Sequence, residues 1–220
     1  MKKIPFALPV SPSIGNVSAE YIVPEKSRCI MTIAHGAGAG MNHQFMVSLA
    51  NSLAETGIAS LRFNFPFTEN KKGRPDVPAV AHKTIEAAML NAHKKFSSLP
   101  LFVSGKSFGG RMTSQYLSSQ PAVLPKGIIF FGFPLHAAGK PSIERAEHLK
   151  TVPVPMLFLQ GTRDALAEWD LIQEVTASLP LATLLKIEGA DHSFKAGKIN
   201  TMEILTQAAS EWIKEVEGKL

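Results

Sequence analysis

Short apolar runs alternate along this chain with longer segments in which apolar residues recur every three or four positions. Most of the short runs are continuous rather than alternating with polar residues. Such runs are typical of strands in a sheet that helices cover on both faces. The pattern predicts strands at residues 19–23, 29–34, 58–63, 101–104, 127–131, 156–159 and 183–187.

The segments between the strands have the periodicity of amphipathic helices, at residues 45–53, 85–96, 112–117 and 204–216. Gly57 is placed to end the first helix, and Pro78 lies near the start of the second. Asn200, followed three residues later by Glu203, resembles the capping box of a helix start. Strands that alternate with helices predict one α/β domain with a mainly parallel, doubly wound sheet of seven or eight strands.

Composition narrows the class of protein without identifying a function. The 220 residues are enough for one domain with a large core, and 45% hydrophobic with 19% charged residues is typical of globular proteins. The net charge of +5 is spread along the chain without a basic run, so we expect no nucleic-acid partner. The single cysteine, Cys29, excludes an internal disulfide, and its apolar surroundings favour a core position.

No apolar segment approaches the length that spans a bilayer, so we expect no membrane association. Lys2 and Lys3 weakly resemble the start of a secretory signal, but Pro5 and Pro9 interrupt the apolar stretch that follows. We therefore expect a cytoplasmic protein. The histidines lack the spacing of a metal-ligand motif, and the sequence predicts neither a metal nor a cofactor.

The strongest motif is Gly105-Lys106-Ser107-Phe108-Gly109. It follows a predicted strand and precedes a predicted helix, which is the context of the G-x-S-x-G nucleophile elbow. At such a turn the serine has strained backbone angles, and small neighbours let the strand and the helix approach closely. An incidental serine in a glycine-rich loop is the alternative, but it does not account for the strand and the helix on either side.

A second glycine-rich loop, at residues 35–40, follows the predicted strand at 29–34. It lacks the Gly-Lys-Ser/Thr ending of a phosphate-binding loop. Next to a nucleophile elbow, such a loop supplies one backbone amide of an oxyanion hole. We predict Ala37 and Phe108 as the two amide donors, and His35 as a residue that fixes this loop through hydrogen bonds.

Two further loops carry the groups that a serine nucleophile needs. A serine hydroxyl is weakly nucleophilic until a histidine takes its proton and an acid orients that histidine. Asp164 and His192 supply these groups, and the order Ser107, Asp164, His192 is that of α/β hydrolases. Asp191 is the competing candidate for the acid, although neighbouring side chains usually point apart.

With these motifs, the chain resembles the α/β-hydrolase superfamily over nearly its whole length, which implies the three-layer α/β-hydrolase fold. The segments at residues 35–38, 62–66, 105–111, 132–136 and 191–194 are similar to those of a dienelactone-hydrolase-like branch. That branch includes testis-expressed hydrolase-like proteins and a subunit of the nuclear non-specific-lethal chromatin complex. Dienelactone hydrolases have cysteine where this chain has Ser107, so we do not expect their substrate here.

The connection between Phe131 and Met156 is too short for the large cap domain that many relatives insert. We therefore expect an open pocket that is walled by loops. The residues predicted to bind substrate there are Met41, Phe65, Lys106, Arg111, Leu135 and Phe194.

Together these observations predict a serine hydrolase that cleaves a small-molecule ester or thioester through an acyl-enzyme. The alternative is a non-catalytic interaction protein that retains the hydrolase fold, and a lyase that uses the same residues as acid and base is a third hypothesis. The complete set of catalytic groups favours the enzyme, because an interaction protein has no physical need for all of them.

Overall fold

In the computed structural model, which describes residues 1–119 and 121–218, eight strands form one sheet. The strands are β1 (Lys2–Ser11), β2 (Gly15–Val23), β3 (Cys29–Ala34), β4 (Ile58–Phe63), β5 (Leu101–Lys106), β6 (Ile128–Phe131), β7 (Met156–Gly161) and β8 (Ala182–Ile187). The helices are α1 (Gln44–Glu55), α2 (Pro66–Glu69), α3 (Pro78–Lys95), α4 (Phe108–Leu117), α5 (Trp169–Ala177) and α6 (Thr201–Gly218), and a 3-10 helix spans Glu144–Thr151.

The strands lie across the sheet in the order β1-β2-β4-β3-β5-β6-β7-β8. The β1–β2 and β2–β4 pairs are antiparallel, and all later pairs are parallel. Helices α1 and α6 pack on one face, whereas α3, α4, α5 and the 3-10 helix pack on the other. The predicted three-layer, mainly parallel fold is confirmed.

The central strands are buried on both faces, and this explains their continuous apolar runs. In β3, Cys29, Met31 and Ile33 contact the core beneath α1 and α6. Ile30 and Ala34, which point the other way, contact the core beneath α3 and α4. Successive side chains point to opposite faces of the sheet, and both faces of this strand are covered by helices. No position of the strand is therefore exposed, so no alternation of apolar and polar residues is expected.

The predicted strands are present, with ends that differ by a few residues, but β1 was not predicted. It forms the edge of the sheet, most of its side chains are exposed, and only Leu8 is fully buried. An edge strand tolerates Pro5 and Pro9, since one side of its backbone has no strand to bond. Pro5 and Pro9 interrupt the apolar residues of this segment, which hid the strand, and the prolines that argue against a secretory signal lie within it.

Helix α5 is a second element that the hydrophobic pattern does not single out. Leu171, Ile172 and Val175 have helical spacing, but a helix of nine residues repeats that pattern too few times to be singled out. By contrast, the predicted start of α6 agrees with the structure. The Asn200 Oδ1 accepts a hydrogen bond from the Glu203 amide at 3.4 Å, and its Nδ2 donates to the Glu203 carboxylate at 3.2 Å.

Residues 132–155, which connect β6 to β7, form a loop and the 3-10 helix. This segment, all of it described, contains no cap domain, as predicted. None of the helices within residues 1–119 and 121–218 has the length and apolar character needed to cross a membrane.

Candidate active site

The candidate site lies at the edge of the sheet where the parallel strands have their carboxyl ends, which is the usual ligand-binding edge of such sheets. Residues 35–40 follow β3, Ser107 follows β5, Asp164 follows β7, and His192 follows β8. The structure brings all four loops together.

Ser107 occupies a sharp turn between β5 and α4, with φ 52° and ψ −117°. Few non-glycine residues adopt such angles, which cost about 1–3 kcal/mol. A Cβ atom on Gly105 would lie 2.3 Å from the Gly110 nitrogen, and one on Gly109 would lie 2.4 Å from the Ala34 carbonyl oxygen. Only glycine fits at these positions, because strand and helix approach each other through bare backbone.

The side chains of Ser107, His192 and Asp164 form a continuous hydrogen-bonded chain. The His192 Nε2 lies 2.8 Å from the Ser107 Oγ, and the His192 Nδ1 lies 2.7 Å from the Asp164 Oδ2. Asp191 faces elsewhere. Its Oδ1 accepts hydrogen bonds from the backbone amides of Ser193 and Lys195, at 2.8 and 2.9 Å, so this carboxylate orders the turn that carries His192.

The Asp164 carboxylate is buried, and both of its oxygens accept hydrogen bonds. Its Oδ1 accepts from the Leu166 amide at 2.8 Å, and its Oδ2 accepts from the Gln160 Nε2 at 2.6 Å. The Gln160 Oε1 in turn accepts from the Phe133 amide at 2.8 Å. Gln160 was not predicted, although a signal existed, since it is the polar residue that follows the apolar run Met156-Leu-Phe-Leu of β7.

Gly161 lets the loop of Asp164 pack against the loop of His192. A Cβ atom there would lie 2.2 Å from the Ala190 carbonyl oxygen. Next to this contact, the Gly189 amide donates a hydrogen bond to the Thr162 hydroxyl at 2.8 Å. The separation of the acid and the histidine is thus set by backbone contact between two loops.

Two backbone amides near Ser107 are free to bind a ligand. Phe108 is the first residue of α4, where amides lack partners within the helix, and Ala37 lines the cavity in front of Ser107. Within residues 1–119 and 121–218, neither amide donates a hydrogen bond to a protein acceptor. The partial positive charge at the start of α4 favours developing negative charge at this point.

His35 holds the glycine-rich loop in place, as predicted. Its Nε2 accepts from the Phe65 amide at 3.0 Å, so its Nδ1 carries the proton and donates to the Gly36 carbonyl at 2.8 Å. Burial lowers the pKa of His35 to about 4. The imidazole is therefore neutral near pH 7, and it links the loop after β3 to the loop after β4.

Lys106 links the strand of the nucleophile to the turn of the histidine. Its Nζ donates to the backbone carbonyl of His192 at 2.6 Å and lies 5.2 Å from the centre of the Phe194 ring. Within the described residues, Lys106 forms no ion pair with a carboxylate. Burial lowers its pKa to about 8, although the charges of Asp164 and Asp191 oppose this effect.

A cavity of about 350 Å³ lies in front of Ser107. Most of the side chains around it are small or apolar. The lining residues are Gly36, Ala37, Gly38, Ala39, His43, Phe45, Met46, Lys106, Ser107, Leu166, His192 and Ser193.

The structure corrects most of the predicted substrate-binding residues. Lys106 lines the cavity, but Met41, Phe65, Leu135 and Phe194 do not, and each is at least 95% buried. Phe194, for example, stacks on Phe45 with ring centroids 5.8 Å apart. Large apolar side chains in these loops turn inward, because burial in the core removes more of their surface from water than an open pocket does.

Arg111 also lies away from the cavity. It is partly buried on α4, and both burial and the nearby Arg145 lower its pKa. The Arg62 guanidinium is buried as well, and it donates to the Glu20 carboxylate and to the Met41 carbonyl. Lys106 is therefore the one basic side chain of the three that borders the site.

Residues 27–217 match the family model described as the alpha/beta hydrolase domain. The chain belongs to the α/β-hydrolase domain family. Its predicted resemblance to α/β hydrolases is thereby confirmed, whereas membership of the branch with testis-expressed proteins stays a prediction.

Solved α/β-hydrolase structures share the fold over nearly the whole chain. A serine hydrolase homologue from Coxiella burnetii is 20% identical, with a TM-score of 0.78 over 94% of this chain and 98% of that one. Dienelactone hydrolase from Anabaena variabilis is 18% identical, with a TM-score of 0.75 over 98% and 99%. A lidless serine hydrolase from Xanthomonas campestris is 21% identical, with a TM-score of 0.75 over 96% and 95%.

Among curated proteins, the chain is similar to a putative phosphoribosyl transferase of Mycobacterium tuberculosis. The two are 27% identical over 201 residues, which cover 89% of this chain and 43% of the relative. The chain thus spans less than half the length of the curated relatives it matches.

The close backbone contact at the turn predicts that Gly109→Ala destabilises the protein strongly. A methyl group would overlap the carbonyl oxygen of Ala34, and overpacking of this kind costs about 3 kcal/mol. Gly73→Ala is the matched control, because a Cβ atom at Gly73 meets nothing within 4 Å. Urea unfolding should show the loss for Gly109→Ala and a change within about 0.5 kcal/mol for Gly73→Ala. Equal stabilities would mean that the turn relaxes readily.

Proposed function

We propose that this α/β-hydrolase domain is a serine hydrolase that cleaves a small carboxylic ester or thioester through an acyl-enzyme. The observation that carries the proposal is the hydrogen-bonded chain from Ser107 through His192 to Asp164. The chain ends at a strained turn, beside two amides that have no protein partner. Each of these features serves acyl transfer, and none is needed to hold the sheet together.

In the proposed acylation step, the Ser107 Oγ attacks the carbonyl carbon of the substrate while the His192 Nε2 takes the hydroxyl proton. The Asp164 Oδ2 accepts from the His192 Nδ1, which fixes the tautomer and stabilises the imidazolium. The amides of Ala37 and Phe108 stabilise the oxyanion. When the tetrahedral intermediate breaks down, the imidazolium gives its proton to the departing alcohol or thiol.

Deacylation repeats the sequence with water in place of the serine hydroxyl. The His192 Nε2 takes a proton from the water, whose oxygen attacks the acyl carbonyl, and the carboxylic acid leaves as Ser107 regains its proton. The residues behind Asp164 matter here too, since Gln160 and the Leu166 amide hold the carboxylate still while the imidazole changes charge.

The comparisons support hydrolysis at the level of fold, because the structural neighbours include proteins described as serine hydrolases. The cavity of about 350 Å³, with no cap domain in residues 132–155 to enlarge it, supports a small acyl group. The description of the mycobacterial relative refers to a chain more than twice as long as the shared segment, and the shared segment matches a hydrolase domain. Phosphoribosyl transfer is therefore not proposed.

The decisive experiment is labelling with a fluorophosphonate probe, followed by a panel of p-nitrophenyl esters and acyl thioesters. Wild-type protein should form a covalent adduct at Ser107 and hydrolyse short-chain members of the panel. Ser107→Ala should form no adduct and should lose kcat by on the order of 10⁶-fold. Circular dichroism and melting of both proteins control for folding.

If the folded wild-type protein does not react with the probe and cleaves no member of the panel, the enzyme proposal is wrong. The non-catalytic interaction protein then becomes the better hypothesis. Reaction with the probe at a residue other than Ser107 would contradict the assignment of the nucleophile.

The two acidic residues near His192 should differ sharply in their effect on activity. Asp164→Asn should lower kcat by about 10⁴-fold, because the amide favours the wrong tautomer of the imidazole. Asp191→Asn should change kcat by less than about 10-fold, since the Oδ1 of asparagine still accepts from the amides of Ser193 and Lys195. If Asp191→Asn loses most of its kcat while Asp164→Asn keeps it, the acid of the triad is wrongly assigned.

We expect Lys106 to act as a positioning residue for His192. In Lys106→Met the hydrogen bond to the His192 carbonyl is lost, and kcat should fall by about 10- to 100-fold. Stability should not fall in parallel, because the charged ammonium is partly buried without a carboxylate partner.

The same lysine should make stability depend on pH. Its pKa is about 8 in the folded protein and about 10.4 in the unfolded chain, so the unfolded chain binds more protons between these values. The free energy of unfolding should therefore rise with pH from about 8 to about 10.4, which urea unfolding at several pH values would measure.

Chemical rescue provides the control. Aminoethylation of Lys106→Cys rebuilds a lysine-like side chain, whereas Cys29 is buried and its pKa is raised to about 12, so it should not react. Recovery of kcat after aminoethylation would support the positioning role, and the exposed Lys198→Met should leave kcat unchanged. A loss of melting temperature that accounts for the loss of kcat would contradict it.

A further inference from the structure

A second depression adjoins the cavity in front of Ser107. It is a groove of about 960 Å³ between α1 and α6, and it shares His43, Phe45 and Ser193 with the cavity. His43 and Thr56, which flank the two ends of α1, both line the groove. It therefore runs the length of a helix of 12 residues, about 18 Å, and at its His43 end it is bordered by residues that also line the cavity.

The position of His192 decides which half of an ester reaches this groove. The imidazole that takes the serine proton later gives it to the departing oxygen. The alcohol half must therefore lie on the His192 side of Ser107. Ser193, the next residue, lines both the cavity and the groove. An alcohol too long for the cavity would continue past Ser193 into the groove.

The lining of the groove is rich in polar side chains and nearly balanced in charge. Its uncharged polar side chains include Ser48, Ser52, Asn200, Thr206, Gln207 and Ser210. Its charged side chains are Glu55, Lys195, Glu203, Glu211 and Lys214. Phe45, Met202 and the aliphatic parts of the polar side chains add apolar surface, so the lining suits a ligand whose apolar faces alternate with hydroxyl groups. The lining has no large excess of either charge to select a strongly charged ligand.

We propose that the groove binds the alcohol half of the substrate and that this alcohol is a neutral, hydroxyl-rich molecule such as a sugar. The proposal rests on the serine-hydrolase function proposed above. Ligand hydroxyl groups both donate and accept hydrogen bonds, so they can pair with the hydroxyl, amide, carboxylate and ammonium groups of the groove. The acyl half stays in the smaller cavity, beside Met46 and Leu166.

The test keeps one acyl group and varies the alcohol. The value of kcat/KM is measured for an acetylated maltose, for hexyl acetate and for p-nitrophenyl acetate. Hydrogen bonds between the groove and the sugar hydroxyls predict that the acetylated maltose is cleaved at least about 10-fold more efficiently than hexyl acetate.

Two variants fill the groove from opposite sides. Gln207→Trp on α6 and Ser52→Trp on α1 should each lower the ratio of kcat/KM for acetylated maltose to that for p-nitrophenyl acetate by about 10-fold. Lys83→Trp is the matched control, because Lys83 is exposed on α3, which packs on the other face of the sheet. Gln207 is exposed, so its variant carries the test even if Ser52→Trp does not fold.

The outcomes separate the two proposals. Equal kcat/KM for hexyl acetate and acetylated maltose, or a ratio that neither substitution changes, would overturn the groove proposal, while cleavage of p-nitrophenyl acetate would leave the hydrolase proposal standing. As a probe of the acyl half, p-nitrophenyl octanoate is assayed with the same variants. If the two substitutions lower kcat/KM for this substrate alone, the groove proposal is overturned as well, since the acyl half would then occupy the groove. Failure of the wild type to cleave any ester or to react with a fluorophosphonate would overturn both proposals.

Discussion

The position of Ser107 depends on the contact of bare backbone between β5, α4 and the end of β3. At Gly105 and Gly109 the chains approach more closely than any side chain permits. This contact turns the chain so sharply that Ser107 takes a positive φ, with its side chain facing His192. The packing of the two helical layers on the sheet holds the strained turn in place, so the geometry of the site is a property of the whole fold.

The same device recurs on the other side of the site. Gly161 brings the loop after β7 against the Ala190 carbonyl, and Asp164 and His192 are carried on the two loops that meet there. Polar side chains then set the finer positions. Gln160 fixes the carboxylate, Asp191 orders the turn of the histidine, and Lys106 ties that turn to the strand of the nucleophile. Close backbone contact sets the distances between loops, and hydrogen bonds set the directions of side chains.

These two kinds of constraint differ in how well a sequence reveals them. Gly105 and Gly109 flank Ser107 in a five-residue motif that can be recognised without the rest of the chain, so the turn was predictable. The buried strands were predictable as well, because their apolar runs are continuous. The edge strand β1 was not, because Pro5 and Pro9 interrupt its apolar residues and prolines argue against a strand. Its pairing with β2 is a hairpin that is local in sequence, but it can be recognised only once the segment with the two prolines is taken as a strand.

The substrate-binding residues were the least predictable part, and the reason is physical. Phe65 and Leu135 lie in loops near the site, but a loop position does not tell whether a side chain points out to a cavity or in to the core. Apolar loop residues gain more from the core, and both are fully buried. The cavity is walled instead by small residues of the glycine-rich loop and by α1, whose amphipathic pattern indicates only which face it buries.

The features that lower stability are concentrated at one edge of the sheet, and their concentration bears on what the protein does. Ser107 has a strained backbone, Asp164 is a buried carboxylate, and Lys106 is a partly buried ammonium without an ion-pair partner in the described residues. The strain and the unpaired ammonium oppose folding, and the carboxylate depends on the hydrogen bonds that it accepts. Away from this edge, Arg62 is buried but paired, and Arg111 is a partly buried cation. Unfavourable elements scattered at random would not converge on one hydrogen-bonded chain beside two free amides. Their convergence is the outcome expected under the proposed hydrolase function, with the core supplying the stability that the site lacks.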